Sequence, residues 1–415
     1  MIDTQAKLER LEGTSFEAEA RATAQRVRRA VADALASVQA DPTRPQSVGH
    51  LLGLDKSLAW KVARVVGDED ALAAVARIPA RAGQRILSDA LRAAGATAPV
   101  LKELASALGE FESLIERHSG DRETFGMMIA ALTPEGRRQL EEGHRRLSYQ
   151  GNSATWGVQA RVHISAHFAM PSRQDPDMLD LAIVSGLLDL RRLRNDTPWA
   201  VASLRGFHDD GSAVEAIPVE GIDPGWTPSQ GPPLISQFCS PNLPPLNLVS
   251  REEGVMRFEV GAGPIGNTAA VTCVTGWILR AEVERWRSEM DALGEHVVTL
   301  ATPTELLVHD VFLHRDIWPQ TPPSAHCYSL LPGIPVYPRG GRVRGLLPLT
   351  DPVINLGSSP DATLPEAPRY HQIVAAVFKR LGHEPSEFRG ARFRLRYPPI
   401  PALITTRYPL AERPR

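Results

Sequence analysis

Apolar and polar positions along the chain follow two different periods. Residues 16–38 (FEAEARATAQRVRRAVADALASV) space their apolar positions along one face of a helix, and Asp41-Pro42 and Pro45 close that run. Asp68 can cap ALAAVARI, Gly95 can end the helix holding ILSDALRAA, and Thr97 can cap a helix from Pro99 to about His118. Thr133-Pro134-Glu135 reads as a further helix start. Beyond residue 150 the period becomes two. Ala154, Trp156, Val158, Ala160, Val162, Ile164, Ala166 and Phe168 are apolar, and the residues between them are mostly polar. That alternation predicts one long, half-buried strand. Further strands are expected at 199–206, 213–218, 255–260, 269–280, 296–301 and 391–397, and helices at 177–194, 302–314 and 367–381. Residues 222–247 read as a Pro-rich connection, too long for a compact turn.

Proline marks the same division: 5 of the 35 prolines lie in residues 1–150 and the other 30 follow. Proline breaks helices and collects at turns and strand ends. The expected class is therefore α+β, an all-α N-terminal region followed by a larger, Pro-rich α+β region with antiparallel strands. The divisions expected are a helical region at 1–95, a helical connector or dimerisation region at 96–150, and an α+β ligand-sensing or assembly region at 151–415.

One stretch carries a spacing argument. Residues 48–63 read VGHLLGLDKSLAWKVA. Two helices crossing through a short turn need a small residue where they touch, met by Gly49, and a residue that tolerates the bend, met by Gly53. Val48, Leu51 and Leu52 before the bend, and Leu54, Leu58 and Val62 after it, can face a core. Asp55 or Ser57 can satisfy the free amides at the second helix's start. Residues 46–66 thus resemble the helix-turn-helix of bacterial transcription regulators. The resemblance implies a recognition helix at about 55–66 whose outward residues are Lys56, Ser57, Trp60, Lys61 and Arg64. Lys56 and Ser57 would meet base edges, and Lys61 and Arg64 would suit phosphates. The partner it implies is double-stranded DNA, bound by a homodimer, because one such helix covers few base pairs.

Charge and cysteine content narrow the field. The formal net charge is −2, so the chain is no polycation and any nucleic-acid contact is local. Over 41–66, Arg44, Lys56, Lys61 and Arg64 face Asp41 and Asp55, a mildly basic balance. Three cysteines without a short spacing argue against a disulfide scaffold or a zinc ribbon and fit a reducing cytoplasm. The start, MIDTQAKLERLEG, lacks the apolar segment of a secretory signal, and no run approaches the ~18 apolar residues of a membrane span, so no membrane partner is expected.

Other signals are weaker. GAGPIG at 261–266 matches a dinucleotide-binding fingerprint, but the strand-like residues after it favour a glycine hairpin turn, and no cofactor is implied. His163 and His167 lie about 13 Å apart if on a strand at ~3.3 Å per residue, too far to share a metal unaided. Gln159, Arg161, His163 and His167 share one polar strand face that could read a small effector molecule. His309, His314, His326 and Cys327 gather within a short span, at spacings that fit no familiar zinc pattern. Arg392, Arg394 and Arg396 alternate with Phe393, Leu395 and Tyr397, so Arg394 and its neighbours could clamp an anion or form a solvated edge. GxSxG, HExxH and a phosphate-binding GKS/GKT are absent from the sequence. The residues favour a DNA-binding transcriptional regulator with a C-terminal effector or assembly region. The alternatives are a non-DNA assembly protein with a repurposed helical module and, third, an enzyme of unrecognised type.

Overall fold

The computed structural model describes residues 16–414 apart from 69, 76, 133, 206–218, 253–254, 290–291 and 332–344. The strand expected at 213–218 and the N-terminal stretch therefore lie outside the described residues. The chain divides into two compact units, Met1–Glu141 and Glu142–Arg415. The class is α+β, with helices mostly in the first unit and strands mostly in the second.

In the first unit the helices are α1 (Phe16–Ser37), α2 (Pro45–Leu52), α3 (Lys56–Gly67), α4 (Ala71–Val75), α5 (Arg81–Ala93), α6 (Ala98–His118) and α7 (Arg122–Ala131). The helical period of residues 16–38 becomes a buried stripe, Ala20, Ala24, Val27, Val31, Ala34 and Leu35, and α1 lies along α6. One core joins these residues to Val48, Leu58, Val62, Leu72, Leu87, Leu91, Leu104 and Phe111. Phe125 meets both Phe16 and Phe111 edge to face, each with ring centroids 5.7 Å apart. Each fully buried Leu, Val or Phe here contributes roughly 1.5–3 kcal/mol.

The second unit holds α8 (Pro134–Trp156) in large part, α9 (Tyr370–Leu381) and all the strands. These are β1 (Val158–Pro171), β2 (Met178–Arg192), β3 (Trp199–Arg205), β4 (Val219–Gly221), β5 (Leu246–Glu252), β6 (Val255–Val260), β7 (Val271–Glu284), β8 (Leu293–Leu300), β9 (Thr304–His314), β10 (Ser324–Ser329), β11 (Leu346–Leu347), β12 (Val353–Ser358), β13 (Phe388–Arg396) and β14 (Ala402–Pro409). Seven strands form one sheet in the order β12-β13-β9-β1-β2-β7-β4, antiparallel except for β1 beside β9. A four-stranded sheet, β11-β10-β14-β8, and a three-stranded one, β3-β6-β5, complete the unit.

The large sheet is covered on both faces. Even-numbered residues of β1 (Val162, Ile164, Ala166, Phe168) pack with Val308 and Phe312 against Ile373, Val377 and Phe378 of α9. On the opposite face Leu307, Phe393 and Leu395 meet Val298, Leu300 and Ile404 of the four-stranded sheet. This double burial explains the corrections to the sequence reading. The segments expected as helices at 177–194 and 302–314 are the strands β2 and β9: β9 is buried on both faces, and β2 carries Leu181 and Ile183 on its partly covered face, so both apolar-rich runs lose the polar alternation that marks a strand. The strand expected from Ala154 begins at Val158, since α8 runs on to Trp156, and β1 is almost wholly buried, not half-buried. GAGPIG is not a hairpin turn: β6 and β7 belong to different sheets. The stretch instead crosses the buried Arg192, whose guanidinium donates to Gly261 O and lies where a Cβ on Gly263 would meet Nη1 at 3.3 Å. Among the described residues, no helix is long and apolar enough to cross a membrane.

Candidate nucleic-acid interface

The turn between α2 and α3 is built from the residues that its spacing singled out, save Leu51, which was expected to face the core and is exposed. Gly53 adopts the left-handed region at φ 61°, which ends α2, and the Leu54 amide donates back to Gly49 O at 3.0 Å. A Cβ on Gly49 would stand 3.3 Å from Ala59 Cβ, so the two helices touch at this glycine. Asp55 Oδ1 accepts from the amides of Ser57 (2.8 Å) and Leu58 (3.0 Å), closing the free N-terminal turn of α3. Leu58, Ala59, Val62, Ala63 and Val65 then face the core.

The opposite face of α3 is open. Lys56, Ser57, Trp60, Lys61 and Arg64 are all exposed, and Trp60 retains 39% of its surface in solvent. Lys56 and Lys61 make no ion pair among the described residues. Arg64 reaches over the Trp60 ring at 5.6 Å, and Arg77 does so at 4.9 Å from the segment after α4. Asp68 lies 3.6 Å from Arg64 and 3.9 Å from Arg77, so one carboxylate faces two guanidinium groups. Arg77 is a member of this surface that spacing could not find, because it arrives from another element.

The effector candidates of the second unit spend their polar groups inside the chain. The Gln159 amide fits its surroundings with nitrogen donating to Ser153 Oγ and Tyr149 Oη, both at 3.2 Å, and oxygen accepting from Arg191. Arg161 donates to Asp189 at 2.6 Å and to Glu366 O, while Arg394 pairs with the Glu366 carboxylate. Glu366 thus joins Arg161 and Arg394. His163 is buried with Nε2 3.4 Å from Ser185 Oγ. Arg392 and Arg394 lie on an interior strand between β12 and β9, not on a solvated edge. Arg392 holds Asp310 through two hydrogen bonds of 2.9 and 2.8 Å, and Tyr370 Oη donates to the same carboxylate at 2.9 Å. Asp310 is fully buried, so the group pins β9, β13 and α9 together with no opening to solvent.

A layer of neutral imidazoles lies between the two larger sheets. His167 meets His309 and His296 edge to face at 5.0 and 5.4 Å. Burial lowers the His163 and His296 pKa values to about 4 and that of His309 to about 3. The second unit also contains a cleft of about 420 Å³ lined by Arg173, Asp180, Arg280, Lys379, Arg380 and His383 among others. Arg280 there is paired with Asp180 and Glu220, and Arg380 with Glu220.

No protein-family model and no curated protein matches the chain. Among solved structures, a Legionella pneumophila protein provisionally described as a nutrient binding protein is similar over 61% of this chain and 67% of its own, at 10% identity and a TM-score of 0.28. A similarity of that size carries no argument about fold or ligand.

Proposed function

We propose that the protein is a cytoplasmic DNA-binding transcriptional regulator that inserts α3 into the major groove. The observation that carries this reading is the open outer face of α3, with Lys56 and Lys61 unpaired among the described residues and Trp60 in solvent. Phosphate contacts from Lys61 and Arg64 set affinity, and Lys56 and Ser57 at the helix start meet base edges. A dimer supplies the second half-site. In this reading the second unit binds a small effector or mediates assembly.

The test is binding of the full chain to sheared genomic duplexes at two salt concentrations. Lys61→Ala with Arg64→Ala is expected to weaken binding at all sequences and to lower the salt slope by about 2, close to one for each lost phosphate contact. Equal affinity and equal slope in wild type and double variant overturn the reading.

One observation favours a second reading, a protein-interaction or assembly module. Trp60 flanked by Arg64 and Arg77 has the composition of a protein-binding hot spot. Salt-independent capture of a protein partner, lost in Trp60→Ala, together with no duplex binding, supports it over the first.

A further inference from the structure

We propose that His314, His383 and Glu387 form a binding site for a divalent cation of the zinc type, independent of the DNA reading. Among the described residues these are the only three His, Cys, Asp or Glu side chains whose ligating atoms all lie within 4.8 Å of one another.

The fold assembles the three from separate elements. His314 ends β9, and its Cα pairs with that of Phe388 at the start of β13. That register sets Glu387, the preceding residue, beside His314. His383 follows Gly382, whose left-handed conformation (φ 69°) ends α9 and turns the chain back toward β9. Glu387 Oε2 accepts from the Glu384 amide at 2.9 Å and lies 3.0 Å from His383 Nδ1. The Glu384 amide holds the carboxylate through Oε2 and leaves Oε1, 3.9 Å from His314 Nε2, to ligate an ion. An ion bound at ~2.0–2.1 Å asks each ligating atom to move inward by under about 1 Å.

The surroundings suit an ion with imidazole ligands. Phe388 packs edge to face on both imidazoles, at 5.4 and 5.7 Å, and shields that side from water. Asp316 Oδ2 lies 3.5 Å from His314 Nδ1. In this structure Nδ1 accepts from the Asp316 amide at 3.3 Å; with metal on Nε2, Nδ1 would carry the proton and exchange that bond for donation to the Asp316 carboxylate, the usual way that a second carboxylate orients a ligating histidine. The opposite side is open, since His383 also lines the 420 Å³ cleft with Arg173 and Lys379. Two imidazoles, one carboxylate and an open position are the donor set of zinc, with water or an anionic group from the cleft as the fourth ligand.

The test is a titration of the tag-free, metal-stripped full chain with Zn²⁺ against a chromophoric chelator at pH 7. One equivalent is expected to bind with a Kd below about 1 μM and to raise Tm, with tetrahedral N/O ligation. The isosteric Glu387→Gln and the His383→Gln variant are each expected to lose at least about tenfold in affinity, and Asp316→Asn about tenfold. His326→Gln is expected to change nothing. Unchanged affinity in Glu387→Gln and His383→Gln, or no binding of Zn²⁺ below about 100 μM by wild type, overturns the proposal. X-ray absorption of the zinc-loaded wild type gives a check that needs no variant to fold: two imidazole ligands are expected, and a spectrum without imidazole overturns the site.

Discussion

The two units place their polar side chains differently. Among the described residues, Thr23 and Gln84 are the buried polar side chains of the first unit, whose core is Ala, Val, Leu, Ile and Phe. The second unit buries eighteen, including four histidines between its two larger sheets and the Asp310–Arg392 pair. In the first unit charge stays outside, much of it in exposed ion pairs, with Lys56 and Lys61 making none among the described residues. In the second, charge lies inside and orders the fold. If the proposed DNA binding holds, electrostatics serves recognition in one unit and architecture in the other, and different perturbations should reach each.

Acid should separate the units most strongly. His163, His296 and His309 are held neutral by burial, at about 4, about 4 and about 3, against an ordinary value near 6.5. Their folded pKa values lie below the unfolded ones. The stability they contribute is therefore complete above pH 6.5 and is lost as pH falls toward the folded values, because the unfolded chain takes up the protons first. By pH 5 the loss is about 2 kcal/mol for each group, about 6 kcal/mol in all. Hydrogen exchange of the full chain, corrected for intrinsic rates, should show β1, β8 and β9 losing protection between pH 7 and 5 while α1 and α6 keep theirs. Equal loss in both units contradicts the comparison.

Breaking one buried pair is the next largest effect. Asp310→Ala leaves the Arg392 guanidinium buried without its carboxylate and should cost about 3–5 kcal/mol in denaturant unfolding. The matching change in the first unit, Arg26→Ala, removes exposed pairs with Glu103 and Glu110 and should leave the denaturant midpoint nearly in place. Similar losses from the two would erase the distinction.

The same contrast decides what the sequence showed. Polar residues that stay outside leave the helical period clean, so α1 and the α2–α3 turn were legible from apolar spacing, Gly49 and Gly53. Polar residues drawn inside blur the pattern. His309 and Asp310 interrupt β9, and its Leu-rich remainder read as helix; β2 failed for the same reason. β1 was recognised because Arg161, His163, Ser165 and His167 kept its alternation, although two of those polar positions proved to be buried histidines. The clusters of the second unit were the least legible. Asp310, Tyr370 and Arg392 are 60 and 82 residues apart, and Glu387 reaches His314 through the pairing of β9 with β13. No spacing rule on one strand or helix reports such a meeting. Arg77, brought to Trp60 by the segment after α4, is the same kind of miss within the first unit.

Substitutions in the helix-turn-helix should be felt as geometry more than as lost charge. Gly49→Val puts branched methyl groups where a Cβ already stands 3.3 Å from Ala59. It should cost about 1–3 kcal/mol by overpacking and should also weaken duplex binding, because α2 and α3 are wedged apart. Asp55→Ala removes the cap of α3 and should cost about 1 kcal/mol.

The smallest expected effect is on stability itself. Lys61→Ala alters a side chain on the outer face of α3 that makes no ion pair among the described residues. Surface changes of this kind usually stay within about 0.5 kcal/mol. Lys61→Ala should therefore leave the unfolding midpoint in place while lowering the salt slope of duplex binding by about 1. That combination, recognition lost and stability kept, is what a surface reserved for a partner produces. If Lys61→Ala instead lowers stability by as much as Asp55→Ala does, the outer face of α3 is part of the unit's architecture, and the first unit resembles the second after all.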